Sequence, residues 1–153
     1  MLAGRALRAD ATVFSEVGAD ESKTSSAAAV VALIGFISGL LRGIFTAETG
    51  VLSTAIGGLI GAFVLWYVGT GLFYALARFF GGEGRFEALL RGNAYAAVPF
   101  VLGGYWDSAM DLVVLWSLYL FVLNVRENMS LSGAAALAVV VIPVGAFVGL
   151  AWL

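Results

Sequence analysis

The chain has 153 residues, 61% of them hydrophobic and only 12% charged, with a net charge of −2 and a mean hydropathy of +1.00. Soluble domains are about half apolar and about a quarter charged, so this chain carries more apolar surface than a water-soluble core of its size can hide, and a bilayer is the solvent that fits. With no Cys and no His, haem and iron–sulfur ligation by those residues, Cys/His zinc sites, thiolate nucleophiles and His-based acid–base catalysis are excluded.

Residues 1–26 are polar and mixed in charge. Arg5 and Arg8 are followed by Asp10, Glu16, Asp20 and Glu21 rather than by an apolar run, which argues against a cleaved secretory signal. Val13, Phe14 and Val17 fall on one side of a short helix that lies along the membrane surface, unless the segment is a loosely ordered tail. Residues 27–45 form a first span; nineteen residues at about 1.5 Å each reach about 28 Å, close to a hydrocarbon core. Arg42, near its end, is placed to snorkel to the interface. Glu48 and Gly50 mark a turn, and residues 51–77 are the clearest span. Residues 78–91 are a charged connection containing Gly81, Gly82 and Gly84, with room for a short helix from Arg85 to Arg91. Residues 92–106 are uncharged but only fifteen long, with Pro99 inside, which suits either a short crossing or a re-entrant hairpin. A fourth span runs over 107–125, a polar turn over 126–131, and a fifth span over 132–153 with Pro143 within it.

The expected fold is therefore all-α: an integral membrane helical bundle of five transmembrane helices, the third short enough to be re-entrant. Residues 1–26 are a cytoplasmic segment and 27–153 the membrane domain. Charge supports the crossing number. With the N-terminus inside, five crossings place Arg5, Arg8, Lys23, Arg78, Arg85, Arg91 and Arg126 on the cytoplasmic side and no basic residue in the outer loops. Four crossings would move Arg126 outside. Five crossings leave the C-terminus outside.

Small residues mark the expected helix contacts. Gly35, Gly39 and Gly43 make two overlapping GxxxG steps on the first span, Gly57 and Gly61 one on the second, and Gly145 and Gly149 one on the last. Such ridges let backbones approach closely in lipid, either within the bundle or between two chains. Tyr105, Trp106 and Trp152 suit interface anchors, while Trp66 and Tyr67 lie too centrally and are expected to pack in the bundle.

Three stretches, in order, resemble the prokaryotic members of the Yip family, relatives of the Ypt/Rab-GTPase-interacting membrane proteins. FSEVGADESKTSSAAAVVAL, residues 14–33, is similar to the approach to that family's first span. GGEGRFEALLRGNAYAAVP, residues 81–99, is similar to its central signature: a Gly-bearing loop, a short amphipathic piece, then a small-residue and aromatic helix ending in Pro. LWSLYLFVLNVRENMSLSGA, residues 115–134, is similar to the section with a Trp on the fourth span, a following basic residue and a Ser-led fifth span. The resemblance covers nearly the whole chain. It implies five spans, a cytoplasmic N-terminus and an outer C-terminus, in the cytoplasmic membrane of a prokaryote. For eukaryotic relatives it implies vesicle traffic and small-GTPase binding; the cytoplasmic N-terminal segment here, about 26 residues, is much shorter than theirs and leaves little for such a partner.

No catalytic residue, cofactor site or metal site is expected. GGEGR lacks the Lys-Ser/Thr of a P-loop and follows a span rather than a strand, and no His or Lys stands beside a Ser or Thr within the spans. With no basic patch interleaved with aromatics, a nucleic-acid partner is not expected either. Asp107 and Asp111 share a helical face and offer a cation site, although acids at a helix N-terminus are more often caps. Glu87 and Arg91 are spaced for a surface ion pair. Arg91, Asn93 and Pro99 fall in the central signature; Pro99 is expected to break a helix, and Asn93 to hydrogen-bond the freed carbonyl or a neighbouring span. Arg78, Arg85, Arg91, Asn124 and Arg126 gather on the cytoplasmic side as a face for a protein partner or for anionic lipid headgroups, the latter weakened by Glu83, Glu87 and Glu127. The expected function is a scaffold, adaptor or accessory subunit that binds other membrane proteins or itself, or organises lipid. The alternative is a small oligomeric transporter or channel component. Against it, no ionisable residue occupies the middle of a span.

Overall fold

The computed structural model describes residues 2–46, 50–101 and 110–151, and all regular structure within them is helical. The helices are α1 (Leu2–Leu7), α2 (Thr12–Ala19), α3 (Thr24–Thr46), α4 (Val51–Phe79), α5 (Phe86–Ala96), α6 (Met110–Met129) and α7 (Gly133–Ala151). Short 3-10 turns at Glu21–Lys23 and Val98–Val101 precede α3 and follow α5.

Three helical stretches among the described residues are long and apolar enough to cross a membrane: Glu21–Phe45, Val51–Phe79 and Asp111–Met129. Within α7, Gly133–Ala146 is a shorter apolar helix. The outward flank of α4 carries Leu52, Ile56, Ile60, Leu65 and Leu72, each at least 48% exposed, and Leu112 and Leu115 on α6 are also exposed. An exposed apolar surface of this extent belongs in lipid rather than water.

Local chemistry sets the helix ends. Asp20 starts the turn before α3: its Oδ1 accepts from the Ser22 backbone N–H at 3.0 Å and the Ser22 hydroxyl at 2.6 Å. α4 ends in a Schellman motif, with Gly82 N–H donating to Ala77 O at 2.8 Å and Gly81 N–H to Arg78 O at 3.1 Å. That closure needs a left-handed residue, and Gly81 supplies it at φ +84°. Ser132 caps α7 by accepting from the Ala135 N–H at 3.3 Å.

The expected short helix at 85–91 and the first part of the expected stretch 92–106 form one helix. It begins at Phe86, and Phe86, Ala88, Leu89 and Leu90 in its first turns pack into the bundle while Glu87 stays exposed. It ends at Ala96, because Pro99 has no N–H to continue the ladder. Its eleven residues extend about 16 Å, half of a hydrocarbon core. Pro99 lies in the following turn.

α3 and α4 form an antiparallel hairpin with the most extensive contact between any two elements. Gly35, Gly39 and Gly43 face α4 so closely that a Cβ on any of them would collide with Gly58, Thr54 or Val51 backbone or with the Ala62 or Thr54 side chain. On α4 the GxxxG pair does not make this contact. Gly58 answers from α4, whereas Gly57 and Gly61 have nothing within 4 Å of an added Cβ. One residue is 100° of helix, so Gly58 turns toward α3 where Gly57 turns away.

Two apolar clusters hold the bundle. One joins Val13, Phe14 and Val17 of α2 to Val31, Trp66, Leu90, Tyr95 and Leu123. The other joins Phe73 and Ala77 of α4, Leu89 of α5, Val125 and Met129 of α6, and Val139 and Val140 of α7. The N-terminal helices are thus packed on the bundle: Val13, Phe14 and Val17 are fully buried, chiefly among α5 and α6.

Candidate functional site

α5 is the axle of the molecule. Its residues 88–96 are all buried, because α1, α2, α3, α4 and α6 each pack on it. A helix buried all round must satisfy its polar side chains internally, and Arg91 and Asn93 do so in opposite directions.

Arg91 reaches the C-terminal end of α2. Its Nε donates to Val17 O at 3.0 Å, its Nη2 to Gly18 O at 2.5 Å and its Nη1 to the Thr24 hydroxyl at 3.3 Å. The last carbonyls of a helix lack intrahelical donors and carry the negative end of its dipole, so a guanidinium there satisfies and neutralises them together. This replaces the expected surface pair with Glu87. At 2% exposure Arg91 faces inward, toward α2.

Asn93 begins a ladder of amides across four helices. Its Nδ2 donates to Thr70 Oγ1 on α4 at 2.8 Å, and its Oδ1 accepts from Asn124 Nδ2 on α6 at 2.7 Å. Asn124 Nδ2 also donates to Leu89 O at 3.1 Å. Asn124 Oδ1 accepts from Asn128 Nδ2 at 2.7 Å, and Asn128 Nδ2 donates as well to Phe14 O on α2 at 3.0 Å. Beside the ladder, Trp66 Nε1 donates to Leu90 O at 2.7 Å. Two glycines make room: a Cβ at Gly92 would strike the Asn124 amide, and one at Gly18 the Asn128 amide.

The expected partner face is therefore divided. Arg78, Arg85 and Arg126 are exposed, while Arg91 and Asn124 are buried and hold the bundle. Arg78 donates to Gly82 O at 2.9 Å, Arg85 pairs with Glu21 at 3.1 Å and Arg126 with Glu127 at 2.7 Å. Phe79, 83% exposed, and Phe80 stand next to Arg78 with their rings edge to face. Asp111 is exposed in the first turn of α6. Asp107, Glu48, Tyr105, Trp106 and Trp152 lie outside the described residues. Tyr67 differs from expectation: it is 55% exposed, one position away from the buried Trp66.

On α1 and α2, Arg5 binds Asp10 at 2.9 Å and Glu16 at 2.8 Å and donates to the Thr12 hydroxyl at 3.0 Å. Hydrogen bonds from Thr12 and Arg5 hold the Asp10 carboxyl below its ordinary range, and those from Ser22 do the same for Asp20.

A family model, the Yip1 domain, matches residues 7–153. The chain belongs to the Yip1-domain family. The three apolar helices of spanning length among the described residues fit that membership, and the chain is an integral membrane protein. The Yip1-domain match includes all of α2, the helix that Arg91 and Asn128 fasten to the bundle. No curated protein and no solved structure matches the chain. Thr70, Gly92, Gly18 and Asn128 complete the Yip1-domain interior. Asn128 falls in the polar turn expected over 126–131, and Thr70 gives no signal, being one hydroxyl in a long apolar run.

Proposed function

We propose that this Yip1-domain protein is a non-catalytic membrane adaptor that crosses the bilayer five times and presents one composite cytoplasmic face to a protein partner. The observation that carries this reading is the docking of α2 onto the bundle by Arg91 and Asn128, which joins the N-terminal segment, the α4–α5 turn and the α6–α7 turn into one surface. Exposed Arg78, Arg85 and Arg126 with Phe79 and Phe80 give that surface both charge and apolar anchors.

The places where helix ends meet support this crossing number. Glu83 N–H, in the turn after α4, donates to Met129 O at the end of α6. Those two ends share one side of the membrane. The twenty residues of α6 rise about 30 Å, so α6 starts on the other side. On this reading the chain crosses between the start of α5 and the start of α6, with α5 covering the first half. The Ser38 hydroxyl on α3 donates to Phe100 O at 3.2 Å, about 21 Å along α3 from Thr24, which supports a rising path. Seven of the eight basic residues belong to the end with the α4–α5 turn, which supports a cytoplasmic position for that end.

A transport role finds less support. Asp111 is exposed, and Thr70, Asn93 and Asn124 are bonded to one another. The adaptor reading is tested by extracting the whole chain in native lipid particles and quantifying co-purifying proteins by mass spectrometry. One stoichiometric protein, lost on Arg78→Glu plus Arg126→Glu while the chain itself still purifies folded, is the expected result. No partner, or one that both substitutions leave in place, refutes the proposed face.

A further inference from the structure

Between α3, α4, α5 and α6 lies a cavity of about 290 Å³, lined by Val31, Ile34, Ala62, Leu65, Phe100 and Phe121, with Asn93 and Thr70 in its wall. Leu65, at its rim, is 72% exposed on the lipid-facing flank of α4, so the cavity opens sideways into hydrocarbon. Apolar cavities of even about 150 Å³ stay free of water and take up small hydrocarbons, so this one calls for an apolar occupant.

The wall is apolar except at one place. Thr70 and Asn93 supply its polar groups, with Ala62 two turns before Thr70 on α4 and Phe100 two turns after Asn93. Asn93 and Thr70 are 3% and 1% exposed. Their mutual bond uses one N–H of the Asn93 amide and a lone pair of the Thr70 oxygen. Among the described residues, the second N–H of Asn93 and the hydroxyl hydrogen of Thr70 have no acceptor. A buried donor without an acceptor is costly. Two of them beside a cavity mark the place of a hydrogen-bond acceptor on an otherwise apolar molecule.

We propose that this cavity binds one acyl chain of a membrane phospholipid, with the chain's ester carbonyl accepting from Asn93 and Thr70 and its tail running toward Phe100 and Ala62. The site is independent of any protein partner at the cytoplasmic face, and neither needs the other to be occupied. Gly69 provides the means of closing it: it lines the cavity, and a Cβ added there meets nothing within 4 Å. Gly71 is equally open and lies outside the lining.

The full chain is reconstituted in dioleoylphosphatidylcholine vesicles doped with phosphatidylcholine bearing a diazirine at the end of one acyl chain, illuminated, and mapped by peptide mass spectrometry. Adducts are expected at Phe100, Ala62 and Ile34. Gly69→Phe should lower them about tenfold by filling the space an acyl chain would enter, and Gly71→Phe should leave them unchanged. Thr70→Val, which keeps the shape and removes the donor, should lower them about fivefold, the worth of one neutral hydrogen bond. Adducts confined to outward-facing residues such as Ile60 and Leu72, or a yield at Phe100 that Gly69→Phe does not change, would overturn the site. So would an isoprenoid, rather than a phospholipid, retained by chain extracted from its native membrane.

Discussion

Arg91 brings a positive charge into the interior with no carboxylate bonded to it among the described residues; three oxygen atoms of α2 and α3 take its hydrogen bonds instead. The planar fork of a guanidinium can reach Val17 O and Gly18 O together, and a single ammonium cannot. Arg91→Lys is therefore expected to destabilise the folded chain by about 1–3 kcal/mol, read from the midpoint of unfolding in mixed micelles with rising dodecyl sulfate. Gly92→Ala should be as damaging, because the new methyl group occupies the place of the Asn124 amide. If that collision is the cause, Gly92→Ala combined with Asn124→Ala should cost less than the sum of the two single changes, whereas strict additivity would put the cause elsewhere. The sequence exposes Asn93 as a lone amide in an apolar stretch, and its bond to a neighbouring span is as anticipated. It does not reveal that Arg91 and Asn124 turn inward. Helical spacing places Arg91 one turn from Glu87, and only the docked α2 offers it better acceptors.

Among elements, the two sides of α4 separate packing glycines from open ones. Gly35→Leu or Gly39→Leu would push a branched side chain into α4 backbone, and overpacking of this kind costs about 1–3 kcal/mol or more. Gly57→Leu and Gly61→Leu meet open space and should leave the unfolding midpoint unchanged or slightly higher, since Gly is a poor helix former. Equal damage from both pairs would mean that α3 packs on the other flank. The GxxxG spacing made the α3 ridge legible, but the matching residue on α4 was not, because Gly57, Gly58 and Gly61 all offer small surfaces and only rotation about the axis selects among them. The N-terminal helices have their own pH dependence. Asp10 and Asp20 have folded-state pKa values below the ordinary value of about 3.9, so their stabilisation is complete above that value and is lost as pH falls through the lower folded one. Pepsin, active in that range, should cut near Phe14 increasingly as pH drops from about 4 toward about 2, and the trend should flatten in Asp10→Asn plus Asp20→Asn.

For the whole molecule, the decisive contact is between two turns. The Glu83 N–H meets the Met129 carbonyl, so the turns after α4 and α6 lie side by side, and the five-crossing arrangement proposed above predicts that the N-terminal helices and the end of α7 lie on opposite faces. Hydropathy alone could not settle this. An uncharged stretch broken by Pro99 reads equally as a hairpin or a crossing, and an eleven-residue helix is too short to decide by length. Position favours a crossing, since α6 is long enough to descend from the opposite face. The chain has no cysteine, so single cysteines report topology without background. In sealed, right-side-out vesicles, an impermeant maleimide should modify a cysteine appended after Leu153. Ser15→Cys and Glu83→Cys should stay unmodified until the vesicles are opened. Modification of the C-terminal cysteine only after opening would leave an even number of crossings. That would mean that one of the proposed crossings, such as α6 or the shorter α7, does not span. Such a result would overturn the five-crossing arrangement, and were α6 the helix at fault, the composite face proposed for partner binding would go with it.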